Sequence, residues 1–200
     1  MRFKLFVPPI LTVGLFIAAL PAFSQVAPAY NAPGVPWSIG VGPSSWDVDW
    51  GHGRMYGGTI WADWYPEKVE SLVHARGLGL EIEARDISLH NVGYGQKNQR
   101  QDTAGGGPIF NWHVTNRFHP YFKGLFEDGS IDFYPIYSYS HDTRLLVAPG
   151  GGFEFRFVGP LNVRADYEYQ FWIGKLLGNT LNPQGFTLGV AWDLSHPQGR

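Results

Sequence analysis

Residues 161–171, LNVRADYEYQF, alternate apolar and polar side chains without a break. Successive side chains of a β-strand point to opposite faces. Leu161, Val163, Ala165, Tyr167, Tyr169 and Phe171 therefore share one face, and Asn162, Arg164, Asp166, Glu168 and Gln170 the other. In a soluble sheet the apolar set packs into a core and the polar set meets water. In a closed barrel that crosses a bilayer the assignment inverts: the apolar set meets lipid and the charged set fills the interior. The strand alone is compatible with both.

The start of the chain separates the two readings. Arg2 and Lys4 form a positive n-region, Leu5 to Leu20 is almost wholly apolar, and Ala22-Phe23-Ser24 places small residues at a cleavage spacing. This pattern predicts a secretory signal peptide over residues 1–24, cut before Gln25. An uncleaved helical anchor fits less well, because the apolar run falls short of the ~20 residues a spanning helix needs and Pro8-Pro9 interrupts it. No later stretch approaches the run of ~18 apolar residues that marks a transmembrane helix.

Composition narrows the class further. With no Cys, the chain has neither a disulfide framework nor thiol chemistry. Removing Arg2 and Lys4 with the signal leaves 13 of the 15 basic residues against 17 acidic ones, a net charge of −4. That balance, with no basic cluster, argues against nucleic acid as a partner. Eight Trp and ten Tyr accompany a mean hydropathy of only −0.16, as expected of a barrel with a polar interior and aromatic girdles. A secreted β-sandwich, or a soluble lipid binder with its apolar faces inward, is also compatible.

Strand patterns fill the rest of the chain. Residues 25–36 contain three prolines and read as an extended leader. A first strand runs from Trp37 to Trp50. Its apolar set moves from odd positions (Trp37, Ile39, Val41) to even ones (Trp46, Val48, Trp50) across Gly42-Pro43, which predicts a bulge or kink there and leaves Asp47 and Asp49 facing inward. Further strands are expected at 56–65, 72–86, 104–115, 118–127, 143–157, 161–171 and 184–194. Short turns are expected at 66–70, 116–118 and 158–160, and polar loops at 87–103, 128–142 and 173–183. Strands of about ten residues suit a tilted crossing of hydrocarbon, and the alternation of short turns with long loops suits an outer-membrane barrel.

Residues 150–172 (GGGFEFRFVGPLNVRADYEYQFW) and 182–194 (NPQGFTLGVAWDL) resemble the closing hairpin of OmpA-type, eight-stranded outer-membrane β-barrel proteins. The resemblance covers residues 37–194. It implies an all-β, antiparallel up-and-down transmembrane barrel in the cell outer membrane, with outer-membrane lipid and the barrel-assembly machinery as partners. Such barrels usually end on an aromatic residue, whereas here Trp192 precedes eight further residues, the last six (195–200) forming an expected tail.

An eight-stranded barrel is just wide enough for its own side chains to fill it. The inward faces bring together Asp63, Glu81, Glu83, Arg85, Lys123, Glu127, Glu154, Arg156, Arg164, Asp166 and Glu168, and the preferred expectation is a structural charge network that plugs the lumen. Arg156 and Arg164 are expected within ion-pair reach of Glu154, Asp166 and Glu168. Function then falls to the exposed loops, as a structural or surface-interaction role. The alternative is a narrow passive pore for ions or small solutes, in which the excess of carboxylates favours cations.

Neither catalysis nor a cofactor is expected. Ser88-x-His90 and Ser140-His141 are the nearest hydroxyl–imidazole juxtapositions, and both lie in or beside expected loops. The His-x-Ser-Asn pattern of lipid A deacylases is absent, as is His-x-x-x-His zinc spacing. His52, His90 and His141 fall at one rim of this topology and could converge on a metal. The entropy cost of fixing three loops on one ion favours scattered polar residues over a metal site.

Overall fold

In the computed structural model the described residues are 37–49, 53–66, 77–89, 99–112, 114–115, 117–133, 140–175 and 180–194. The expected signal peptide, the Pro-rich leader, His52, His90 and the tail lie outside them. The described residues form nine strands: β1 (Trp37–Asp47), β2 (Arg54–Trp64), β3 (Leu78–Leu89), β4 (Gln99–Asn111), β5 (Phe118–Phe133), β6 (Ser140–Val158), β7 (Leu161–Tyr169), β8 (Phe171–Trp172) and β9 (Gln184–Asp193). β8 continues the line of β7 after a break at Gln170 and stays paired to β6 through Leu146↔Trp172, so nine strands make eight staves. Each stave pairs antiparallel with its neighbour in sequence, β5 pairs with β6, and β1 pairs with β9. The sheet is closed. This is the all-β up-and-down barrel expected from the sequence.

Below the mid-height of the barrel, the faces are those of a membrane strand. Ile39, Val41, Ile60, Leu80, Ile82, Phe122, Phe126, Leu188 and Val190 point outward and are exposed. A contiguous apolar surface of this kind has no place in water and matches the lipid-facing band of a barrel. At the end carrying the short turns, Trp37 stacks on Trp64 at 6.0 Å, Trp112 lies 5.2 Å from Phe122, and Phe118 lies 5.6 Å from Phe153. These rings form an aromatic girdle at that interface.

The loop end follows the opposite rule. There Trp46, Val48, Met55, Ile87 and Ile131 point inward and are fully buried, while Asp47, Arg54, Asp86, Arg100, Asp128 and His141 point outward and are exposed. Water replaces lipid outside the wall, so polar residues move out and apolar residues move in. This inversion corrects three sequence expectations with one cause.

The register of β1 against β2 runs unbroken from Trp37↔Trp64 to Asp47↔Arg54. There is no bulge at Gly42-Pro43: the apolar set changes parity because the surroundings change, and Asp47 and Asp49 face outward. The register shift that does exist lies in β6 between Arg156 and Val158, beside the 159–160 turn. The expected loops at 87–103 and 128–142 are in part strand, with Leu89↔Gln99 and Phe133↔Ser140 as the last paired positions. Their polar outward residues were read as loop although the alternation continues. β3 begins at Leu78 after a turn at Gly77, the expected strand residues 72–76 lying outside the described residues, and β4 ends at Asn111 rather than residue 115.

Candidate functional site: a charged lumen under an apolar cap

Three basic side chains organise the interior, stacked from the turn end to the loop end. Arg164, on β7, is nearest the turns. Its Nε donates to Tyr121 Oη at 2.7 Å, Nη1 to Asp63 Oδ2 at 3.1 Å, and Nη2 to Glu81 Oε2 at 2.6 Å and Asp166 Oδ2 at 3.3 Å. Glu154 stands 3.8 Å from Nη1. The guanidinium also lies 4.3 Å from the Tyr121 ring centre and 4.9 Å from that of Trp61, a placement that suits its weak hydration.

Lys123, on β5, forms the middle tier. Its Nζ reaches Glu81 at 2.9 Å, Glu83 at 2.5 Å, Asp166 at 2.6 Å and Glu168 at 3.3 Å. Arg85, on β3, forms the upper tier. It donates to Glu168 Oε1 at 3.0 Å and Oε2 at 3.1 Å, to Glu83, and to Thr59 Oγ1 at 3.2 Å. Thr59 in turn joins Ser44 and Thr187 in a hydroxyl cluster with contacts of 2.5 Å and 2.7 Å. Gln170 bridges the last carboxylates, donating to Glu168 at 3.2 Å and Glu127 at 3.4 Å.

Of the eleven residues the sequence assigned to the lumen, the structure places ten in this interior. Arg156 is the exception. It sits near the end of β6, two residues before Val158, its side chain is 36% exposed, and its ion-pair partner is Asp193 at 3.8 Å rather than Glu154, Asp166 or Glu168. Its alternation with Glu154 is sound, but the interior has ended by that height. Sequence reasoning also missed Trp61 and Tyr121 as partners of Arg164. Strand parity already carried that information, since both alternate with outward Ile60 and Phe122.

Two apolar clusters pack inside the barrel toward its loop end, Leu125 of the second lying between Lys123 and Glu127 on β5. Trp46, Val48, Met55 and Ile87 form one. Leu125, Ile131, Leu146, Ala148, Trp172 and Leu181 form the other. The caps meet the ionic tiers directly: Arg85 lies 3.9 Å from the Trp46 ring centre, and Trp172 Nε1 donates to Gln170 at 3.1 Å.

No protein-family model matches the chain, and no curated protein matches it. Solved structures match its fold. Neisserial surface protein A shares 12% identity at a TM-score of 0.64, over 79% of this chain and 97% of that one. Ail, the attachment invasion locus protein of Yersinia pestis, shares 15% at 0.55, over 78% and 96%. The N-terminal β-barrel domain of Pseudomonas aeruginosa OprF shares 15% at 0.51, over 78% and 96%. The chain has the fold of eight-stranded outer-membrane β-barrels. This agrees with the OmpA-type resemblance in its closing hairpin and with the lipid-facing band.

On the outer wall of the barrel, above the apolar band, Asp132 Oδ1 lies 2.6 Å from His141 Nδ1, and His141 Nε2 lies 3.0 Å from Thr143 Oγ1. The set resembles an acid–imidazole–hydroxyl relay. Register accounts for it, because Asp132 opposes His141 and Ser130 opposes Thr143 on adjacent strands. His141 is the only one of the three rim histidines among the described residues.

Proposed function

We propose that this barrel resides in the outer membrane as a filled scaffold, and that its role is structural or surface-interacting, carried by the segments at its loop end. The single observation behind this reading is the closure of the lumen: three tiers of ion pairs below two apolar clusters. An eight-stave barrel leaves little room beyond its side chains, and an apolar constriction above charged residues opposes the passage of hydrated ions. In this reading outer-membrane lipid surrounds the band and the barrel-assembly machinery inserts it. The wall carries no catalysis, the Asp132–His141–Thr143 contact being a product of strand pairing.

One observation favours a second reading, a narrow cation-passing pore. Seven buried carboxylates face three buried Arg and Lys side chains among the described residues, and such an excess selects cations wherever a path opens. Recording from the purified protein in planar bilayers tests the choice. The scaffold reading expects no unitary conductance steps above the lipid baseline. Steady cation-selective steps contradict it. The surface role is tested by replacing residues 90–98 and 134–139 with short turns. Adhesion of cells displaying the variant should fall while the barrel keeps its heat-modifiable gel mobility, and unchanged adhesion contradicts a role for these segments.

A further inference from the structure

Glu127, on β5, is 2% exposed and enters no ion pair among the described residues. Its Oε2 accepts only the 3.4 Å amide contact from Gln170, and its Oε1 has no donor. Arg85 and Lys123 bind Glu83 and Glu168 and pass it by. Oxygens of Glu83, Glu127 and Glu168 nevertheless all lie within 4.8 Å of one another. A second buried oxygen is also without a partner: the Thr103 hydroxyl, on an inward position of β4 that is 3% exposed.

Register puts these groups in one place. Glu83 opposes Gly105 and Gly105 opposes Glu127, so a residue without a side chain lies between the two carboxylates, and Thr103 is the next inward position along the same strand. A Cβ on Gly105 would fall 2.8 Å from Glu127 Cγ and 2.1 Å from the Phe126 carbonyl oxygen. Burying a carboxylate without a counter-charge is strongly unfavourable, and among the described residues seven buried acids face three buried Arg and Lys side chains.

We propose that this corner of the lumen binds a hard cation of calcium size, ligated by Glu83, Glu127 and Glu168 with the Thr103 hydroxyl. Oxygens 4.8 Å apart or less can share an ion whose oxygen contacts are about 2.3–2.6 Å, the range of Ca²⁺. Mg²⁺ needs contacts near 2.0–2.1 Å in strict octahedral order and gives up its water reluctantly. A mixed, partly ion-paired carboxylate set therefore suits Ca²⁺ better. The ion supplies the charge that Glu127 lacks and ties β3, β5 and β7 together at mid-height.

The test uses the full chain refolded into phosphatidylcholine vesicles in chelated buffer and then dialysed against ⁴⁵Ca²⁺. One Ca²⁺ per barrel is expected, together with a higher urea midpoint in CaCl₂ than in MgCl₂ at equal ionic strength. Glu127→Gln, which keeps the side-chain size, should weaken binding about tenfold or more and abolish the calcium-dependent midpoint shift. Thr103→Val should weaken binding with the fold intact, and it decides the matter if Glu127→Gln does not refold. Asp102→Asn, an outward acid, should bind as the wild type does. No calcium retained by the wild-type barrel, or retention unchanged in both lumen variants, overturns the proposal.

Discussion

Arg164 shows how much one buried side chain can organise. Its guanidinium serves Asp63, Glu81 and Asp166 at hydrogen-bond distance and lies over two aromatic rings. Arginine suits this position because its planar fork donates in several directions at once. Removing it leaves carboxylates buried without their counter-charge, so Arg164→Met should cost about 3–5 kcal/mol in a urea titration in vesicles. Adding Glu81→Gln should return part of that loss, because the second change removes a stranded charge. Strict additivity of the two single variants would show that the groups are not coupled. Arg156→Met should be close to neutral, since that side chain is partly exposed and its Asp193 partner is 3.8 Å away.

Each strand carries two environments along its length, and this explains what the sequence revealed and what it hid. The alternation in β7 identified its lipid face and its lumen face directly. Val163→Arg should therefore cost about 2–4 kcal/mol if it lies near the midplane, with Asn162→Ala much milder. The reverse ranking would contradict the placement. The eight staves, their order and ten of the eleven lumen residues were legible from parity alone. The strand ends at the loop side were not, because the polar outward residues Asp86, Ser88, Asp102, Asp128 and Ser130 resemble loop composition. The parity change across Gly42-Pro43 was visible but carries two physical meanings, a bulge or a change of solvent, and local sequence does not distinguish them. Hydrogen exchange tests the strand ends at the β4–β5 extension. Paired amides within 99–103 and 128–132 should be protected, whereas exchange at the rate of an unstructured peptide would restore the loop reading.

For the whole molecule, the outward face passes from apolar to largely polar toward the loop end, and the inward face from charged to largely apolar, with Gln101, Thr103 and Gln170 as buried polar exceptions. The same arrangement sets the boundary of the lipid band, closes the lumen with Trp46 and Trp172, and raises β5 and β6, at 16 and 19 residues, above the crossing length of about 9–11. The inversion of faces along one strand is the central claim, and the absence of native cysteine makes it directly measurable. Single cysteines placed along β3 from Leu78 to Ser88 can each carry a nitroxide label in lipid vesicles, with collision rates to oxygen and to a water-soluble nickel chelate read by electron paramagnetic resonance. Labels at 78, 80, 82 and 84 should meet oxygen, labels at 86 and 88 should meet nickel, and odd positions should be shielded from both. Nickel access at 80 and 82, or a switch of the accessible set to odd positions above residue 85, would contradict the account.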